Sequence, residues 1–313
     1  MDRKISTIFQ DFRSKISAAS LDPDTFLDDV IYHYTSAEAL LSILHSGILR
    51  ARSFIYLNDS SEVTYGRELV EKVIEENLLI EKKGIRNVFL NDLLSWFIPK
   101  ALSSDLDLGS DLYVTCFCKD GNQLSQWRAY GSSSGGVAIG LDTESMRSKI
   151  YWIGNVHYDV RYQKNVIQRK IQRAFESIDQ LIPFINQNDT SYNSEILEQF
   201  CRHLTNVLMN KICFFKDVAF DEEQEVRAVC WIDDIKHSIN EVDFDSVKNH
   251  IASYIELIVG EPNPNYPPKL AIRKIWVGPS PNQDQLLKTL KRMLYKFGYN
   301  YDVKICPSKI PFR

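Results

Sequence analysis

The sequence predicts a single α+β domain in which a mixed sheet carries large helical insertions. Three observations predict it. Short β-branched and aromatic runs at 30–34, 113–117 and 137–141 read as strands. Long stretches with helical spacing, about 60–110 and 161–213, separate them, and 270–313 reads as strand, helix, strand. A chain of 313 residues can bury a sizeable core as one large domain or two modest ones. The proline-rich loop at 262–268 leaves too little chain behind it for an independent domain, so 1–313 is read as one.

With 44% hydrophobic and 25% charged residues, the composition is that of an ordinary globular protein. A net charge of −4 argues against bulk electrostatic binding to nucleic acid, and the basic runs at 161–173 and 288–296 read as solvated helix faces. Segment 1–20 is polar, without an apolar h-region, and no run of about eighteen apolar residues occurs. The expectation is a cytoplasmic protein with no membrane contact. Six cysteines without C-x-x-C spacing suit free thiols in a reducing compartment better than zinc or disulfides.

Taken in order, Ile5, Ile8, Phe9, Phe12 and Ile16 give 1–29 the pattern of an N-terminal helical extension, closed by Asp22-Pro23-Asp24. Val30-Ile31-Tyr32-His33-Tyr34 then reads as a strand running into a helix. Thr35-x-x-Glu38 has the form of a capping box, Leu40, Leu41, Ile43 and Leu44 supply an apolar face, and Gly47 ends the helix. Beyond an extended 48–56, Asp59-x-x-Glu62 offers a second capping box, opening a helix that runs towards Lys83-Gly84, and another helix spans 87–99. After the strand at 113–117, residues 122–131 form a short helical turn. Ser132-Ser133-Ser134-Gly135-Gly136 is a turn into the strand 137–141, and without a following Lys-Ser/Thr it is not a nucleotide phosphate loop. A short helix follows Asp142-Thr143-Glu144, a strand is expected over 151–160, and the helical stretch 161–213 breaks near 186–190. The acidic cluster 221–225 feeds an alternating strand. Alternation would place Glu223, Glu225 and Arg227 on one face and Val226 and Ala228 on the other. The chain closes with a β-α-β unit at 274–277, 283–297 and 303–305.

Two places carry chemistry. His33 stands where a strand meets a helix N-terminus, whose free backbone N–H groups suit an amide, an anion or a sugar hydroxyl. The same residue reads equally as a half-buried, hydrogen-bonded histidine. Glu225 and Arg227, two apart at the start of an apolar strand, are only partly solvated and can neutralise each other.

A set of short motifs in fixed order extends this reading. They are Tyr32-His33-Tyr34-Thr35, Asn58-Asp59-x-x-Glu62, Cys116-Phe117 with Gln126-Trp127-x-x-Tyr130-Gly131, Gly136-Val137-Ala138-Ile139-Gly140, Glu223-x-Glu225-Val226-Arg227, Ile275-Trp276-Val277-Gly278-Pro279 and Ser308-x-Ile310-Pro311-Phe312-Arg313. Together they resemble the bacterial domain-of-unknown-function family catalogued as two-nine-seven-one, from about Ile31 to the end. That family in turn resembles a distant branch of the ADP-ribosyltransferase fold. The resemblance implies a split, mixed to antiparallel sheet and NAD as substrate, with no metal. His33 and Thr35 would hold nicotinamide and ribose, Tyr130 would stack on the nicotinamide with Tyr34 or Trp127 as alternatives, and Glu225 would complete the site. Arg227 or Arg50 would meet the pyrophosphate. Cleavage of the nicotinamide–ribose bond passes through an oxocarbenium-like ribose that a carboxylate stabilises. ADP-ribose would then pass to water or to an acceptor, protein, nucleic acid or small molecule, that the sequence does not identify.

Two other classes compete with the enzyme. A binding module would use the same pocket without cleavage, with Trp127 and Tyr130 as stacking platforms for a nucleotide or nucleic acid. A protein-interaction domain would use the helical insertions as its surface.

Overall fold

The computed structural model describes residues 3–18, 27–54, 61–102, 111–131, 135–150, 152–184, 190–232, 241–247, 250–299 and 303–311. In chain order the elements are α1 (Arg3–Ala18), β1 (Val30–Ser36), α2 (Ala37–Ser46), β2 (Ile48–Ser53), α3 (Ser61–Ile80), α4 (Ile85–Leu102), β3 (Asp111–Cys118) and α5 (Leu124–Tyr130). They continue with β4 (Gly136–Asp142), α6 (Thr143–Lys149), β5 (Trp152–Asn155), α7 (Val160–Ile178), α8 (Thr190–Ile212), β6 (Glu225–Ile232), β7 (Val242–Val247), β8 (His250–Ile258), β9 (Ile272–Val277), α9 (Gln283–Lys296) and β10 (Lys304–Pro307). Short 3₁₀ turns follow α7 and precede β6.

The Cα packing separates the chain into two compact units, each assembled from three stretches. One comprises Met1–Asp24, Asn58–Asp107 and His157–Phe220, the other Thr25–Leu57, Leu108–Val156 and Asp221–Arg313. The first takes in most of the N-terminal extension and of the two helical insertions read from the sequence. The second holds every described strand, so the protein is α+β with a mostly antiparallel mixed sheet.

Within the helical unit, α1 lays Phe9 and Phe12 against Phe200 of α8, with ring centroids 5.0 and 4.5 Å apart. Its C-terminal carbonyls, which no further turn can satisfy, are met from α7: Lys170 Nζ donates to Ile16 O at 3.0 Å and Arg173 Nη1 to Lys15 O at 3.3 Å. Gly66 lets α3 close on α8, since a Cβ there would stand 2.6 Å from Ile212 Cβ. Glu62 is paired with Lys216 at 3.0 Å, both nearly fully buried. The other half of the expected second capping box, Asp59, lies outside the described residues, as do the Ser132–Ser134 loop and all of the expected break at 186–190 except Thr190, which begins α8.

In the sheet unit the strand order is β10-β9-β4-β1-β3-β2-β8-β7, with β6 paired to β3 and β5 paired to β6. Among the described strands only β9 and β10 pair in parallel, joined through α9 as the expected β-α-β unit. One face of the sheet packs Ile31, Leu49, Phe117, Ile139, Val226 and Ile275 with Leu40 and Leu44 of α2 and Leu290 and Leu294 of α9 into the main core.

Four local expectations are corrected. The helix after β1 is capped by Ser36, whose Oγ accepts from Ala39 N at 3.1 Å, because β1 stays paired to β4 through Ser36, so Thr35 is still strand. Gly47 ends that helix as expected: at φ 70° its N–H reaches Ile43 O, and its packing against Pro268 leaves no space for a side chain. The strand expected over 151–160 stops at Asn155, since Asp159 caps α7. Glu223 does not share a strand face with Glu225, because it ends a 3₁₀ turn and Gln224 between them adopts φ 45°. The hairpin β7–β8 was not anticipated at all.

Candidate functional site

The site follows from how three strands meet. β6 pairs along the whole of β3, from Asp111↔Ile232 to Cys118↔Glu225, leaving β1 and β2 to share the other edge. β1 takes only the end of that edge, Tyr32↔Cys118, and β2 only an earlier part, Arg52↔Val114 and Ser53↔Tyr113. The two branches of the sheet diverge there. Among the described residues, Thr115, Cys116 and Phe117 have no strand partner on that edge, which leaves a slot in the backbone hydrogen-bond ladder between β1 and β2.

Unpaired backbone polar groups need partners, and side chains supply them here. His33 Nδ1 lies 3.1 Å from Cys116 O, and Thr115 Oγ1 donates to Arg50 O at 2.8 Å. A carbonyl only accepts, so Nδ1 carries the proton and Nε2 of the neutral ring keeps a lone pair. Burial, opposed by this bond and reinforced by the charge of Arg52, lowers the His33 pKa below the ordinary histidine value. The ring also meets Phe117 edge-on at 5.7 Å.

Directly paired residues point to the same side of a sheet. The register therefore puts Cys118, Cys116, Glu225 and Arg227 on the face of Tyr32 and Tyr34, and puts His33 and Thr35 on the core face with Phe117 and Val226. His33 and Glu225 stand on strands flanking β3, roughly 10 Å apart at the backbone on two strand spacings of about 4.8 Å. Their side chains leave the sheet on opposite faces. Arg52, on the Glu225 face, already acts electrostatically on His33.

Glu225 and Arg227 form a bidentate pair, Nε to Oε1 at 2.9 Å and Nη2 to Oε2 at 2.8 Å, with side chains 8% and 1% exposed. Their strand alternation, read from the sequence, is what makes the pair possible. Gly154 stands opposite Arg227 on β5, and Phe54 lies 5.9 Å from the guanidinium. The turn before Glu225 is tied down from α5's side: Cys118 Sγ approaches Gln123 Oε1 and Glu223 O, each at 3.2 Å, and Gln123 Nε2 donates to Glu222 O. Burial pushes the Cys118 thiol up to about 12, so it is inert as a nucleophile at neutral pH.

The aromatic candidates separate. Tyr34 is buried, donates its hydroxyl to Asp120 O at 2.8 Å and accepts from Gln123 N at 2.9 Å; burial raises its pKa far above the ordinary tyrosine value. Trp127 is buried edge-on to Tyr34 at 4.7 Å, with Nε1 donating to Asn122 Oδ1 at 3.1 Å. Tyr130, the last residue of α5, is 42% exposed and offers ring surface to solvent. Of the arginines, Arg50 lies over the Tyr254 ring at 4.4 Å, and Arg50 and Arg52 both reach Asp245 Oδ2, at 3.2 and 2.7 Å. Arg52, with its Nε buried and unbonded, belongs at the slot and escaped sequence reading. The one available signal was that an extended 48–53 puts Arg50 and Arg52 on one face. Among the described residues, no three His, Cys, Asp or Glu side chains group as metal ligands, and no helix is long and apolar enough to cross a membrane.

Comparison with known proteins gives one match. The model of a family described as Protein of unknown function (DUF2971) matches residues 126–228, about a third of the chain, a stretch that includes Glu225 and Arg227 but not His33. No curated protein and no solved structure matches the chain.

Proposed function

We propose that the slot between β1 and β2 is the NAD site of an ADP-ribosyltransferase-like enzyme that cleaves the nicotinamide–ribose bond and passes ADP-ribose to water or to an acceptor still to be identified. The observation that carries this reading is the divergence of β1 and β2 from one central strand, with His33 and Glu225 on the strands either side of it. The neutral His33 ring, its Nδ1–H committed to Cys116 O, offers Nε2 to an amide N–H or a ribose hydroxyl. Tyr130 is the exposed aromatic for stacking, and Thr35 lies beside His33 on the same strand face. Glu225 acts on the positive charge that develops at the ribose, and Arg227, which offsets that carboxylate at rest, turns to the substrate's phosphates.

The doubly engaged Glu225 carboxylate favours a second reading, a nucleotide-binding module that cleaves nothing. Two measurements separate them. NAD should raise the melting temperature in a concentration-dependent way, and His33→Ala should lose that shift while remaining folded. Glu225→Gln should keep NAD binding but release nicotinamide about 10²–10³ more slowly, since the amide retains shape without charge. Binding without nicotinamide release, even with cell lysate as a source of acceptor, selects the module; no binding at all overturns both readings.

A further inference from the structure

The net charge of −4 conceals an uneven distribution. Residues 269–313 carry ten lysines and arginines against two aspartates, a net +8, so the rest of the chain carries −12. The structure also separates the two basic runs of the sequence. In 161–173, Lys164 is tied to Glu76 at 2.9 Å, Lys170 to Ile16 O and Arg173 to Lys15 O. In 288–296, Lys288, Lys291, Arg292 and Lys296 of α9 are all exposed, and among the described residues none has a carboxylate within ion-pair distance. The one acid of the helix, Asp284, lies in its first turn.

The fold itself accounts for little of this. The helix dipole favours a cation in the last turn, which covers Lys296 and not the others. Packing uses the opposite side, where Leu290 and Leu294 enter the core with Leu286, Leu287 and Met293 against it. Lys288, Arg292 and Lys296 recur every four residues, about 6 Å apart along the axis, which is the order of the spacing between phosphates of an extended nucleic-acid strand. Tyr295, 68% exposed, stands among them on the same side of the helix. We propose that this exposed strip of α9 binds single-stranded nucleic acid, with the cations along its phosphates and Tyr295 stacked on an unpaired base. A duplex keeps its bases from such a ring, and α9 has no apolar face left to insert into an anionic membrane. No step of the proposed NAD chemistry uses this strip.

The test is fluorescence anisotropy of a labelled oligonucleotide of about 12 nucleotides, alone or annealed to its complement, with full-length protein at about 50 mM salt. Wild type should bind the single strand more tightly than the duplex. Lys288→Glu with Arg292→Glu should weaken that binding about tenfold or more, and should lower the slope of log affinity against log salt by about 1.4, two phosphate contacts at about 0.7 each. Tyr295→Ala should weaken the single strand about tenfold and leave the duplex unchanged. Lys82→Glu with Lys83→Glu, the same change in net charge on exposed residues elsewhere, should alter neither. No binding by wild type, equal losses in the two charge-reversed proteins, or a Tyr295→Ala loss shared by the duplex overturns the proposal. So does capture by anionic phospholipid vesicles in preference to the single strand. Every substituted side chain is exposed, so the variants should melt with wild type.

Discussion

The two units bury polar groups in different ways. In the helical unit they are dispersed, each tying a helix to a neighbouring segment: Tyr65 to Gln163, Gln163 to the carbonyls of His157 and Lys216, Asn77 to Gln168, Lys170 to the end of α1. Those of Gln163 and Lys170 satisfy backbone carbonyls left at a helix end or beside one, and the others join side chain to side chain. In the sheet unit His33, Thr115 and Arg52 stand at one break in strand pairing, and the buried Glu225–Arg227 pair lies on the strand across β3 from it. Dispersed ties are what packing requires, whereas a concentration at a gap costs desolvation without closing the gap. That contrast is the reason to seek function at the slot.

The largest effect should come from leaving one charge of a buried pair alone. Arg227→Met should cost about 3–5 kcal/mol in urea denaturation, because Glu225 is then buried without a countercharge. Combining it with Glu225→Leu should recover most of that loss and abolish NAD binding. Lys216→Met, which strands Glu62, should behave alike in stability but leave any NAD response intact. If the Arg227 variant lost less than about 1 kcal/mol, the pair would be as good as solvated and the contrast would fail.

Acid sensitivity sharpens the comparison next. His33 and His203 are both held neutral by burial, with folded pKa values below the ordinary 6.5. Protonation therefore favours the unfolded chain: their contribution is complete above about 6.5 and is lost as pH falls towards the folded value, about 4 for His203. His203→Gln should flatten the stability profile between those limits. His33→Gln should do the same in the absence of NAD, and less so in its presence if Nε2 is engaged by ligand. Melting temperatures across pH 7 to 4 read both, and unchanged profiles would mean that neither ring is protected from protons.

The smallest effect concerns Gln224, the one non-glycine residue at positive φ among those described. A left-handed conformation costs an L-residue about 1–2 kcal/mol, and glycine's greater freedom when unfolded returns part of that. Gln224→Gly should thus stabilise by up to about 1 kcal/mol in the same denaturation assay. If it also slows nicotinamide release, the kink before Glu225 is held for function; equal release would mark it as a plain turn.

Much of the local structure was legible. The 3.6-residue pattern of Ile5, Ile8, Phe9, Phe12 and Ile16 became α1, and the β-branched and aromatic run at 30–34 became β1, which continues two residues further to Ser36. Gly47 ended α2 for the reason its missing side chain suggests. The hairpin β7–β8 was missed because Val242, Asp243, Phe244 and Asp245 alternate over a short span whose polar members are acids, a weak strand signal. The candidate site was half legible. Residue types named His33, Glu225 and Arg227, but nothing local says that β1 and β2 share an edge of a strand some sixty to eighty residues on, so the slot, the orphaned Cys116 carbonyl and Arg52 stayed hidden. The face each side chain takes depends on that pairing too. So does the separation of Tyr34 and Trp127, both buried, from Tyr130.

The interleaving of the two units along the chain bears on how the protein is made. β3 emerges from the ribosome more than a hundred residues before β6, the strand that covers its full length, and β2 waits some two hundred residues for β8. The helical unit likewise cannot close until α8 is made, with β1 to β5 already outside. For most of synthesis the nascent polypeptide therefore presents bare apolar strand edges that no downstream partner yet masks, a state open to misassociation. Cells that make this protein quickly would be expected to depend on chaperone capture of its first two-thirds, and slowing translation near residue 220 would lengthen that exposure rather than relieve it.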